Sequence, residues 1–98
     1  MRFEIILAPS AAVSFRALPA YQRAMVKDAL ETHLRHVPTK VSKSRIKRLR
    51  GLTRPQFRLR VDEVRVFYDV TDEEVQVLAI VTKAQAEAWL QVHGQAGP

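Results

Sequence analysis

The sequence predicts an α+β domain: a small antiparallel sheet, formed by a first strand plus a three-stranded meander, covered on one face by N-terminal helices and followed by a short C-terminal helix. Three observations lead there. Apolar residues recur at helical spacing through LPAYQRAMVKDALETHLRHV. Three later runs, QFRLRV, VRVFYDV and VQVLAIV, alternate in polarity and are rich in β-branched and aromatic residues. The breaks between those runs, Asp62-Glu63 and residues 71–74, have hairpin lengths. With 98 residues the chain suits a single domain, 1–98, around one modest core.

Taken in order, RFEIILA reads as the first strand, stopped by Pro9-Ser10, with a short helical turn through Phe15. Leu18, Tyr21, Met25, Ala29, Leu30 and Leu34 then mark the buried stripe of an amphipathic helix. Pro19 suits its first turn, and Pro38 lies just beyond its end. The outer face carries Arg23, Lys27, Glu31 and Arg35, with Lys27 and Glu31 spaced as an i,i+4 pair. PTKVSKSRIKRLRGLTRP is polar, basic and punctuated by Gly51 and Pro55. It reads mostly as loop, with a short helical turn or strand near Ile46 to Leu49. After the three strands, residues 83–92 form a short helix and HGQAGP a frayed tail.

A two-residue turn at Asp62-Glu63 places Val61 opposite Val64, Arg60 opposite Arg65, Leu59 opposite Val66 and Arg58 opposite Phe67. Phe57, Leu59, Val61, Val64, Val66 and Tyr68 then share one face. A four-residue loop at 71–74 adds Val75, Val77, Ala79 and Val81 to that face, which is the predicted core. The opposite face carries Arg58, Arg60, Arg65, Phe67, Asp69, Leu78 and Ile80. Like charges directly opposite on a sheet are destabilising; Arg60 and Arg65 form such a pair, and Asp69 is the lone acid beside them. Arginines that snorkel into water would tolerate this. The same cations beside an exposed Phe67 also make a surface that grips phosphates and stacks bases.

Charge is concentrated in one stretch. Residues 40–65 hold ten basic side chains against Asp62 and Glu63, a local net charge of +8, while the other 72 residues carry −2. A local cationic patch steers anions such as nucleic acid, or an acidic partner protein. Several chemistries are excluded by type. There are no cysteines, hence no disulfide, thiolate nucleophile or cysteine zinc site. His33, His36 and His93 show no metal-ligand pattern; no metal or cofactor is expected. Only three glycines are present, and no phosphate loop. No apolar run approaches the roughly 18 residues of a membrane span, so a cytoplasmic, membrane-free protein is expected.

IKRLRGLTRPQFRLRVDEVRVFYDVTDEEVQVLAIVTK resembles the RelE/ParE superfamily of toxins from bacterial type II toxin–antitoxin modules. The matching parts are Leu49-Arg50-Gly51, the basic strand Phe57 to Val61, the arginine-containing strand Arg65 to Tyr68, and the valine-rich strand with its basic end, Val75 to Lys83. RelE-like members cut messenger RNA in the ribosomal A site by attack of the substrate's 2′-hydroxyl on the adjacent phosphate; ParE-like members poison DNA gyrase. The resemblance implies a toxin that inhibits translation as an mRNA interferase (an endoribonuclease), with Arg58, Arg65 and Lys83 as catalytic residues. Lys43, Lys47, Arg48, Arg50, Arg60, Phe67 and Trp89 are then RNA-binding residues. The implied partners are a cognate antitoxin, acidic and partly disordered, together with the ribosome and mRNA. Gyrase inhibition is the alternative, as is a catalytically inactive relative that only binds antitoxin or nucleic acid. One departure bears on proton transfer: many RelE-like toxins end with a further arginine and a tyrosine, where this chain offers Lys83 and Trp89, and Trp has no hydroxyl. His33 and His36 are candidate bases by type, and read more simply as surface or capping residues at a helix end.

Overall fold

In the computed structural model, which describes residues 1–97, strand β1 (Glu4–Leu7) leads into helices α1 (Pro9–Ala17) and α2 (Ala20–Ala29). The last turns of α2 widen into a π-helical segment over Leu30–Leu34. Short strands β2 (Ile46–Arg48) and β3 (Leu52–Arg54) precede the meander β4 (Phe57–Val61), β5 (Val64–Val70) and β6 (Glu74–Thr82). Helix α3 (Lys83–His93) and strand β7 (Gln95–Ala96) close the chain. Among the described residues no helix is long and apolar enough to cross a membrane.

The α+β layering is the one expected, and the β4–β5 hairpin has the predicted register from Arg58↔Phe67 to Val61↔Val64. Asp62 takes a left-handed conformation (φ 52°) in the turn, which a short polar side chain tolerates. The sheet order is β1-β6-β5-β4-β2. The meander is antiparallel as predicted, but the sheet as a whole is mixed. The first strand, read as part of an antiparallel sheet, lies parallel to β6 at one edge, after which the two helices carry the chain across to β2 at the other. Residues 46–48, read as loop, turn or strand, extend the sheet by pairing Ile46 with Leu59 and Lys47 with Arg58.

Two predicted faces are corrected. Between β5 and β6 the pairing passes from Phe67↔Ala79 to Tyr68↔Val77, leaving Leu78 without an opposite residue. One extra residue in a strand reverses the alternation beyond it. Ile80 therefore joins the core, and Ala79 and Val81 face the other way, the reverse of the sequence reading. On α2, Ala29, Leu30 and Leu34 are buried as predicted, but Tyr21 (63 % exposed) and Met25 (41 %) are not, and Val26 takes their place. The wider π turn rotates the chain more slowly per residue, which returns Leu34 to the side of Val26. Glu31 pairs with Arg35 rather than Lys27.

Ala11, Val26, Leu34, Leu59, Val66, Val75 and Val77 are sealed in this core, each large side chain contributing about 1.5–3 kcal/mol of burial. Tyr68 is buried with them, and its hydroxyl donates to the Pro38 carbonyl at 2.7 Å. Desolvation pushes that phenol well above its ordinary pKa.

The second face is not open as expected. Helix α3 turns back over it, and Trp89 stacks on Phe67 with ring centroids 5.1 Å apart and planes within 7°. Thr82 and Gln85 form a reciprocal capping box at its start. The tail read as frayed is tied down instead: β7 pairs with β3, and the Gly97 amide donates to the Gly51 carbonyl at 3.0 Å. Gly51 has φ +77°, a conformation glycine adopts without steric cost.

Candidate anion-binding site

The cross-strand pairs Lys47↔Arg58 and Arg58↔Phe67 set one row of side chains across the second face, and Arg60↔Arg65 the next. Helix α3 covers this surface only in part. Between helix and sheet lies an open cleft of about 700 Å³, with Arg58, Arg65 and Phe67 on its floor and Lys83, Glu87 and Leu90 on its helical wall. Lys47 and Arg50 line its other side.

Arg65 is buried, with only 7 % of its surface exposed. Its Nη1 donates to the carbonyls of Asp62 at 2.7 Å and Val64 at 3.1 Å. The hairpin thus fixes one corner of the guanidinium fork. Arg58 is half-buried, and its Nε is enclosed without a hydrogen-bond partner. Burial, and then the nearby charges of Arg65 and Arg60, hold its pKa below the usual guanidinium value. It remains a cation, since a guanidinium does not lose its proton in a protein. A partly desolvated cation among like charges favours any anion that enters the cleft.

Lys83 is the first residue of α3, and its amide donates to the Glu63 carbonyl at 2.7 Å. A lysine at a helix N-terminus adds positive charge where the helix dipole is already positive, an unfavourable placement that an anion would relieve. Among the described residues the cations of the cleft make no ion pair. Asp69, the lone acid expected on this face, is engaged elsewhere: it accepts from the Gln56 amide at 2.7 Å and lies 3.5 Å from Arg54 Nε.

The cleft brings together Arg58, Arg65, Lys83, Lys47, Arg50 and Phe67 from the predicted set. Phe67 is corrected as a stacking platform, because it is 1 % exposed and its ring is covered by Trp89. Trp89 itself stands over a separate hollow with Arg54, Leu78 and His93. Arg48 lies on the opposite side of its strand, 5.1 Å above the Phe57 ring. Arg60 is exposed on the cleft's face but does not line the cleft, and Lys43 is exposed in the loop before β2. His33 borders a different hollow with Ser42 and Arg45, and the His36 ring nitrogen sits 3.2 Å from the Met1 carbonyl. Neither histidine reaches the cleft. Glu87 and Leu90 were missed; their signal was the i,i+4 and i,i+7 spacing from Lys83, which puts all three on one helix face.

Residues 5–87 match the family model of the ParE toxin of type II toxin–antitoxin systems, parDE. The chain belongs to the ParE toxin family. This ParE-family chain lies within the RelE/ParE superfamily that its sequence resembles. Its fold is similar to that of several solved structures. One is the E. coli toxin RelE, a mutant in the free state, at a TM-score of 0.69 and 22% identity, covering 91% of this chain and 92% of that one. Another is the RelBE2 toxin–antitoxin complex of Mycobacterium tuberculosis, at 0.65 and 21%, covering 84% and 99%. A third is the archaeal RelE–RelB complex of Pyrococcus horikoshii, at 0.65 and 20%, covering 87% and 99%. No curated protein matches the sequence.

Proposed function

We propose that this ParE-family chain is a toxin of the RelE type, which cleaves messenger RNA on the ribosome and thereby arrests translation in the cytoplasm. The observation that carries the reading is the convergence of Arg58, Arg65 and Lys83 on one cleft without an ion pair among the described residues. Cleavage by an internal 2′-hydroxyl needs the scissile phosphate held in line and its growing negative charge stabilised. Guanidinium forks suit that task, because their donors match phosphate oxygens, and one braced as Arg65 is reorganises little. Arg65, braced by the hairpin carbonyls, and Arg58, a half-buried cation on the cleft floor, are the phosphate-holding pair. Lys83 is the proton donor to the departing 5′-oxygen. Lys47 and Arg50 follow the sugar–phosphate chain at the rim.

A cognate antitoxin is the natural counterpart of such a surface. An acidic, partly disordered segment would neutralise the cleft while ordering on it. The solved toxin–antitoxin complexes of similar fold support that partner.

The ParE family match favours a second reading, in which the target is DNA gyrase. Inducing the protein alone and following translation, mRNA integrity and plasmid supercoiling separates the two. Translation arrest with ribosome-dependent cuts is the expected result. Loss of supercoiling with intact mRNA assigns gyrase instead.

A further inference from the structure

We propose that Glu87 is the general base of the cleavage reaction, an inference that rests on the RNA-cleaving reading above. The attacking 2′-hydroxyl must give up a proton, and the cleft offers few acceptors. Its other titratable side chains are Lys47, Arg50, Arg58, Arg65 and Lys83. A guanidinium keeps its protons and has no lone pair with which to accept another, and an ammonium likewise is a donor without an acceptor. Glu87 is the sole carboxylate lining this cleft among the described residues. It stands one turn after Lys83 on α3, on the wall facing Arg58 and Arg65. Despite those cations it forms no ion pair or side-chain hydrogen bond among the described residues.

The step balances without any further reactant. The Glu87 carboxylate takes the 2′-hydroxyl proton as the 2′-oxygen bonds to phosphorus. The bond from phosphorus to the 5′-oxygen breaks, and that oxygen takes a proton from Lys83. The products are a 2′,3′-cyclic phosphate and a 5′-hydroxyl, and the two side chains exchange protons with water to reset.

A bland role for Glu87, an exposed helix acid that only trims the positive potential, makes the opposite prediction. Removing it would then strengthen RNA binding and leave cleavage equal or faster. Single-turnover cleavage of a defined mRNA in the ribosomal A site, measured beside binding to the same programmed ribosome, tests this for wild type and Glu87→Gln. Glu87 is exposed, so the isosteric amide keeps the fold, and retained ribosome binding verifies that. The expected result is a cleavage rate lower by about 10²–10⁴-fold with binding unchanged or tighter. Cleavage by Glu87→Gln at the wild-type rate, or loss of cleavage matched by loss of binding, overturns the assignment. Failure of the wild type itself to cut overturns the RNA-cleaving reading and this inference with it.

Discussion

The two faces of the meander are built from alternate residues of the same strands, yet they are closed in different ways. On one, Leu59, Val66, Tyr68, Val75 and Val77 are fully buried, and the hydroxyl among them is satisfied by Pro38. On the other, α3 seals Phe67 beneath Trp89 and stops short of Arg58 and Arg65, which floor an open cleft. The first face gathers groups whose burial is favourable. The second gathers guanidiniums that repel one another, one of them with an enclosed and unused donor. The pleat therefore divides the labour: the rigidity of the apolar side holds in place a cationic arrangement that would not assemble for its own sake.

That division can be broken one face at a time. Leu59→Ala should cost about 2–5 kcal/mol of stability through the cavity it leaves, while cleavage per folded molecule stays near wild type; chemical denaturation beside an activity assay reads both. Arg58→Met should do the reverse. Activity should fall by about 10²–10³-fold, as when one preorganised donor is lost from a charged transition state. Stability should rise by about 1 kcal/mol, because an unpartnered buried donor and two repulsions disappear. A variant that loses activity and stability together would mark Arg58 as structural. Tyr68→Phe should cost about 1 kcal/mol by stranding the Pro38 carbonyl, visible as a lower denaturation midpoint with cleavage unchanged.

The smallest effect concerns pH. Burial, then the charge of Arg45, hold the His33 imidazole below its usual range, with Asp28 opposing them. The unfolded chain therefore binds the proton more readily. The stability contributed by neutral His33 is complete above the ordinary imidazole pKa and is lost as pH falls through the lower folded value. Denaturation midpoints at pH 7.5 and pH 5 should show a slight loss on acidification that is smaller in His33→Gln.

Much of this was legible in the residues because period-2 alternation and a two-residue turn leave little freedom: fixing Asp62-Glu63 as the turn sets Arg58 opposite Phe67. Leu78 marks where that logic ends. A bulge has no local signature in VQVLAIV, and it is chosen by packing, which prefers Ile80 inside and the smaller Ala79 on the helix-covered face. The closure of the second face was likewise hidden. Nothing between residues 83 and 97 dictates that Trp89 finds Phe67 or that Gln95 finds Arg54; those contacts come from the return of the chain across the sheet. Because α3 was placed without a partner, Glu87 stayed invisible while Arg58, Arg65 and Lys83 did not.

Arg60 and Arg65 provide the most direct test, since they are opposite one another on one face, carry the same charge, and differ in that only Arg65 lines the cleft. Cleavage of ribosome-bound mRNA should be compared for Arg60→Ala and Arg65→Ala, with folding verified for each. Loss of at least about 100-fold for Arg65→Ala and only a few-fold change for Arg60→Ala is the result the cleft requires. Equal losses would contradict it, reducing the site to general positive charge.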